Sequence, residues 1–527
     1  MKMTQTKIAY PFEHLEDGMQ PEELEQFKDQ VRSVVTDPMQ LEEQKRLAMM
    51  DAAYKTLPYP KVSDAALEAL GQGVICLLGE GPAPYHPRYV APDYQKVLDE
   101  GSAFFDLQPA TNLHEAVTSL LTIYNYSPTA GDPPYIGSLD QLLEPFVADL
   151  PDEVARPVLK SFWTLIDRLH PDAFVHASIG PEATRTGELL LDIDNDSGTI
   201  TNLTLRYDPD ITPRDFALKA VRNTMQLSKP YFLNHPLHLK TWGPDYIVAS
   251  CYNIMWLRGG IFTLVRLNLA EAARQFSGDL EELLAVEIPR LAKLQVEIMN
   301  SRIRHIVEEV GWFENTIFVK EGLLDPEKFS AYAGVFGLNE MVNEMMARAG
   351  KPEAQYGHDA AANKVAEKII ARLKEELARH PSPYCKGTNE RVTFHAQVGI
   401  SEDECATPGC RLPAGTEPDI YTHMQATAPI QALVEGGVSD IFEFDQTARQ
   451  NPEAVLDIIN GAMKLGMRDI SIGSTDSEFV RVSGYLVRRA DLENRQEEQL
   501  LRYGTAGIAR EFFNAQPNTL HRRTRQV

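Results

Sequence analysis

Apolar residues recur at helical spacing in PEELEQFKDQVRSVVTD and again in LEEQKRLAMMDAAYKTL. Pro58 and Pro60 end that polar N-terminal unit. Residues 81–98 are rich in Pro and Tyr and read as an irregular connection. Three amphipathic helical patterns follow between about 112 and 170, broken at SPTAGDPPYIG and at DLPDE. Near residue 187 the pattern changes. GELLLDID and TITNLTLRYD predict two strands joined by a turn at Asn195, Asp196, Ser197 and Gly198. TPRDFALKAVRNTMQLS predicts a helix with Thr212 as N-cap and Pro213 at its first position. PYFLNHP then reads as a strand end. Strand, helix and strand in that order imply a βαβ crossover.

Further on, IVASCYNIMWLRGGIFTLVRLNL places Cys251 after a short apolar strand and before a Gly-Gly turn. Two long helical stretches are expected next, from AEAARQF to VEEVG and from EKFSAYAG to LKEELARH. The last third returns to short strands and turns, with a helix at NPEAVLDIINGAMKLG and a strand at DISIG. The chain shows no internal repeat, low-complexity tract or long Gly/Ser linker. The whole reads as an α/β protein.

Composition narrows the function. Of 527 residues, 43% are hydrophobic, enough for a sizeable core. Lys and Arg number 51 against 75 Asp and Glu, a net charge of −24. Phosphate backbones and anionic lipid would repel such a chain, which excludes nucleic acid and membrane surfaces as main partners. A local basic pocket for an anionic substrate stays open. No stretch approaches the ~20 apolar residues needed to span a bilayer, and the N-terminus has no apolar signal region. The five cysteines, Cys76, Cys251, Cys385, Cys405 and Cys410, do not form a disulfide framework. A cytoplasmic protein with reduced thiols is expected.

The segment Arg481-Val482-Ser483-Gly484-Tyr485 near the C-terminus carries the chemistry. A backbone α-carbon radical is stabilised by delocalisation into both flanking amides. That needs a planar α-carbon, where any side chain would clash, so glycine is the residue that serves. This segment matches the signature of glycyl radical enzymes. Phe479, two residues before Arg481, stands where that family has a smaller residue.

The resemblance extends over residues 190–495. ATAPIQALVEGG, IFEFD, NPEAVLDIINGAMKLGMRDISIG and RVSGYLV resemble, in order, the C-terminal region of anaerobic (class III) ribonucleotide reductases. FGLNEMV at 336–342 and CYNIMWLRGGIFTLVRLNLAEAA resemble a second segment and the cysteine-bearing finger loop of those enzymes. TNLTLRYD resembles an early barrel strand shared with pyruvate formate-lyase and the glycyl radical dehydratases. The overall pattern is most similar to the YjjI-type glycine radical enzymes.

The resemblance implies a ten-stranded α/β barrel made of two five-stranded halves and ringed by helices. Residues 1–185 would form a mainly helical region packing on a barrel at 186–527. A cysteine finger loop (about 246–262) and a radical loop (about 474–490) would meet inside. It implies a radical stored on Gly484 and relayed to a Cys251 thiyl that takes hydrogen from a small organic substrate. A separate S-adenosylmethionine/iron–sulfur activating enzyme would install the radical, and the resting chain would hold no metal or other cofactor. Many relatives are dimers, so a homodimer is a further implied partner.

Departures restrict the reaction. The dehydratase branch carries an acid two residues after its cysteine, and here that residue is Asn253. Tyr252 follows Cys251, where the formate-lyase branch has a second cysteine. The four-cysteine zinc site of the reductases has no counterpart after Cys410. Nucleotide reduction and a catalytically silent relative remain as alternatives. Further pocket candidates are Asn234, His235 and His238 after the PYFLN strand end, and His395 with Asn389 and Glu390 on an expected strand. Cys385, His395, Cys405 and Cys410 lack the paired spacing of a structural zinc site, so no metal is expected. The basic end HRRTRQV is read as a solvated tail or an activase-docking surface.

Overall fold

The structure is a computed structural model of the 527-residue chain. It describes residues 21–527 apart from 39, 56, 58, 79–80, 132–134, 170–174, 397–405, 483, 494–508, 510–511 and 515. The strands, in chain order, are β1 (Ile75–Leu77), β2 (Tyr89–Val90), β3 (Tyr135–Ser138), β4 (His176–Ile179), β5 (Asn202–Tyr207), β6 (Tyr231–Asn234), β7 (Tyr246–Ala249) and β8 (Asn253–Trp256). They continue with β9 (Gly260–Asn268), β10 (Phe329–Phe336), β11 (Thr393–His395), β12 (Asp440–Phe444), β13 (Asp469–Ser474), β14 (Phe479–Arg481), β15 (Leu486–Arg488) and β16 (Thr524–Arg525).

Two large sheets form the frame. One runs β1-β9-β10-β11, with β2 also on β9, and the other runs β16-β12-β13-β6-β5-β4-β3. Strands β3 to β6 are mutually parallel, as are β9 to β11. β13 meets β6 antiparallel. Every residue of β5, β6, β10 and β13 is buried, as expected for strands covered on both faces. The helix Ile288–Arg304 lies on the first sheet, where Gln295 donates to the Val265 and Gly334 carbonyls at 2.9 and 2.8 Å. Strands from before residue 185 enter both sheets, so the sheets draw on both sides of the expected 185/186 division. Among the described residues, no helix is long and apolar enough to cross a membrane.

The βαβ unit of β5, helix Arg214–Leu227 and β6 is present. Its cap sits one residue later than expected, on Pro213. Two expectations fail. GELLLDID lies inside the helix Arg185–Ser197, not on a strand. The Thr184 side chain accepts from the Gly187 amide and starts the helix, and Leu189, Leu190, Leu191 and Ile193 are all buried, which mimics a buried strand. EKFSAYAG is not helical but runs into β10. Its small residues let β9 and the neighbouring loops approach, and Gly334 packs against Leu264 and Arg266.

The turn after the Arg185–Ser197 helix is held by a buried ion pair. Lys229 donates to Asp194 Oδ1 at 2.7 Å and to the Thr199 and Thr201 carbonyls, and both side chains are fully buried. Removing one partner strands the other charge. Lys229→Ala should cost about 3–5 kcal/mol, read as a lower denaturant midpoint. A variant unfolding at the wild-type midpoint would show that Asp194 finds other compensation.

Candidate active site

The finger loop is the β7–β8 hairpin, in which Ala249 pairs with Asn253. Cys251 and Tyr252 at its tip have φ of +60° and +62°. Two successive non-glycine residues in the left-handed region are costly and persist only where surroundings hold them. Both large sheets hold this tip. From the second sheet, the Tyr252 hydroxyl bonds Ser471 on β13, and its ring packs edge-on to Tyr231 on β6, centroids 4.8 Å apart. From the first, Tyr332 on β10 donates to the Ile254 carbonyl at 2.6 Å. Gly436 and Gly437 close the other side. Ile254 N donates to Gly436 O at 3.0 Å, and a side chain on Gly437 would overlap the Tyr252 carbonyl.

The second loop is the β14–β15 hairpin, in which Arg481 pairs with Leu486. Val482 N donates to Tyr485 O at 3.1 Å, placing Gly484 at the turn. Gly484 lies directly on the finger tip. A Cβ built on it would overlap Cys251 N and Cα and come within 2.9 Å of Cys251 C. Asn202 on β5 donates its side-chain amide to the Gly484 carbonyl. Arg481 is buried, donates to the Ser228 carbonyl and reaches Asn202 Oδ1 at 3.5 Å. Its guanidinium lies 5.5 Å from the Tyr231 ring centre. The signature arginine therefore anchors the loop to the barrel wall. Cys251, Val482, Tyr485, Val487, Ala509, Phe512 and Phe513 form one buried apolar cluster around the contact. Phe479 fills a neighbouring cluster with Ile200, Leu227 and Leu486, which accounts for its bulk. Ser483 lies outside the described residues.

A family profile described as glycyl radical enzyme YjjI-like matches residues 41–525. The chain belongs to this family. The protein YjjI of Escherichia coli (strain K12) is 40% identical over 475 residues, 90% of this chain and 91% of that one. Among solved structures, an anaerobic ribonucleotide reductase aligns with a TM-score of 0.65 at 12% identity, covering 95% of this chain and 88% of that one. A glycyl radical enzyme from Archaeoglobus fulgidus aligns at 0.60 and 14% identity, covering 80% and 69%. The YjjI-like chain thus has the α/β fold of the pyruvate formate-lyase and anaerobic ribonucleotide reductase class. It is an enzyme of the glycyl radical type.

The other candidates divide. His395 is fully buried on β11 with its ring 4.5 Å from that of Tyr332, and its nitrogens have no hydrogen-bond partner among the described residues. Burial pushes it down to about 3, so it is neutral at pH 7. Asn389 and Glu390 lie in a left-handed turn before β11, not on the strand. Asn234 caps the helix His235–Trp242 and binds the Met463 and Met467 carbonyls at 3.2 and 2.9 Å, a structural role. His235 bonds the Tyr246 hydroxyl at 2.7 Å, and His238 stacks on Tyr246 beside Asp469. Burial lowers His238 and raises Asp469, favouring the neutral form of each. Asn253 is buried in β8.

Among the described residues, no three side chains converge as a metal site. Cys405 lies outside them. Burial raises the Cys385 thiol to about 12 and also raises Cys410. The basic end is only partly solvated: His521, Arg523 and Gln526 are exposed, but the segment is tied to the second sheet. β16 pairs with β12, and Arg525 is buried over the Phe442 ring, near His423.

Sequence reading missed Asn202, Ser228, Tyr231, Ser471 and His176. His176 lies on β4, with Nε2 2.5 Å from Thr204 Oγ1, and burial beside Arg481 pushes it down to about 3. Asn202 gave no distinct signal, because Thr204 and Arg206 share its strand.

Proposed function

We propose that the chain stores an unpaired electron on the Gly484 α-carbon and relays it to Cys251. The observation that carries this reading is the direct packing of Gly484 on the Cys251 backbone inside an apolar cluster. In the relay, the Cys251 S–H hydrogen atom moves to the Gly484 α-carbon. The sulfur is left one electron short, and it then takes a hydrogen atom from a small organic substrate. After the substrate reacts, the product recovers a hydrogen atom from Cys251 and the spin returns to Gly484. An S–H bond is close in strength to the C–H bonds involved, so each transfer is nearly balanced. Asn202 and Arg481 position the loop, and the apolar cluster keeps bulk water from it. Removal of the first hydrogen atom requires a separate activating enzyme of the radical S-adenosylmethionine type. The reduced thiols this needs suit a cytoplasmic setting.

The test is anaerobic co-expression with the cognate activating enzyme, followed by electron paramagnetic resonance, air exposure and intact-mass measurement. A glycine-centred doublet, and cleavage near Ser483–Gly484 in air, are expected. An intact, signal-free chain, under conditions that activate a control enzyme, would make this a catalytically silent relative.

A further inference from the structure

A cavity of about 260 Å³ opens beside the C-terminal segment. Its walls are the turn Ala406–Ala414, Glu340 and the C-terminal residues Gln516–Thr519 with Arg522. The two cations in this wall are Arg411 and Arg522. Arg411 is 4% exposed. Its Nε donates to the Ser439 carbonyl at 2.8 Å, while Nη1 and Nη2 are buried without a geometrically sound hydrogen bond among the described residues. Its charge acts on Tyr252 and Cys251 at the finger tip. Arg522, half-buried, faces the same place: burial and Arg411 bring it down to about 10, while Glu417 and Glu443 act the other way. Two like charges side by side, one of them buried, favour an opposite charge between them.

The acids nearby are largely committed. Glu340 accepts from Thr407 N at 3.0 Å and from its hydroxyl at 2.5 Å. Asp440 lies with His423 and Gln431. Glu417 Oε2 accepts from the Gly415 and Arg523 amides, while its Oε1 is buried without a partner among the described residues. Glu443 is half-buried and raised toward its neutral form. Among the described residues, neither Arg411 nor Arg522 has a carboxylate oxygen within 4.0 Å.

We propose that this cavity is an oxyanion-binding pocket, in which Arg411 and Arg522 hold a carboxylate or phosphate of the substrate. Guanidinium groups suit both anions, because their planar donors match two oxygens at once. A basic pocket in a chain of net charge −24 is a local exception, and it would draw an anion inward against the overall field. This rests on the relay reading for its link to catalysis, but binding itself needs no radical.

The test is calorimetric titration of the full, non-activated chain at constant ionic strength, with inorganic phosphate in one arm and acetate in the other. Saturable binding is expected in at least one arm. Binding by phosphate alone points to a phosphate ester, and binding by acetate alone to a carboxylic acid. Arg411→Gln and Arg522→Gln should each weaken it about tenfold or more, while Arg523→Gln, which removes an exposed neighbouring charge, should leave it unchanged. Arg522→Gln guards against misfolding, since no intramolecular hydrogen bond of its guanidinium is seen among the described residues. Absence of saturable binding in both arms, or binding that neither variant weakens, overturns the proposal. Failure of the radical test leaves this measurement untouched, so the two readings fall separately.

Discussion

Gly484→Ala will give a folded protein that shows no glycine-centred doublet, no oxygen cleavage and no turnover. Two effects act together. Alanine removes the planar α-carbon on which the radical is delocalised. Its methyl group would also occupy the space of the Cys251 backbone, whose N and Cα are in direct contact with the glycine. The overlap is with backbone, so no side chain can swing aside. The radical loop must lift instead, breaking the Asn202 bond to the Gly484 carbonyl. The cost of such overpacking is about 1–3 kcal/mol, and it falls on a hairpin rather than on the two large sheets. Circular dichroism should therefore be unchanged. Gly461→Ala is the control. That glycine lies in the helix Pro452–Lys464 with nothing within 4 Å of a new methyl group. It should keep the doublet and gain about 0.5–1 kcal/mol of stability. A persistent doublet in Gly484→Ala would move the radical to another residue.

Both hairpins were legible as segments of the sequence, because each is a contiguous motif. The hairpin strands flanking Cys251 are apolar and short, and the glycine signature fixes its own residue. The wall around them was not legible. Asn202, Ser228 and Arg481 meet across some 280 positions, and nothing in TNLTLRY says which polar group faces inward. The failures in secondary structure have one cause. Three consecutive leucines at 189–191 are buried in a helix, and all of Phe329–Phe336 is buried in a strand. Continuous burial erases the alternation that separates the two periods. The misread C-terminal arginines share a different cause. Charge alone predicts solvent, but β16 closes the edge of the second sheet and carries Arg525 inward with it.

Cys251→Ala should separate storage from chemistry. Activation acts on the Gly484 α-carbon, which the variant leaves in place, so the doublet and the oxygen cleavage should persist. The methyl of alanine fits the space of the thiol, and the left-handed turn at φ +60° is no harder for alanine than for cysteine. Folding and loop contact should thus survive. Without the S–H bond, the spin has no carrier to reach the substrate, and turnover should fall by roughly 10^5-fold or more, as for removal of an essential reacting group. Cys385→Ala and Cys410→Ala provide the comparison. Both thiols are buried and raised, with Cys385 bonded to Ser382 and Cys410 set in the core beneath Tyr356, so their loss should affect stability more than rate. Turnover surviving in Cys251→Ala would assign the relay to another residue. Loss of the doublet along with turnover would mean that Cys251 is needed to shape the radical loop, because the two backbones touch, and the relay would then need the Cys251→Ser variant to be seen. Serine keeps the shape and a hydrogen bond donor but holds its hydrogen too tightly to pass on. A Cys251→Ser protein with the doublet and without product would place hydrogen transfer at the Cys251 sulfur.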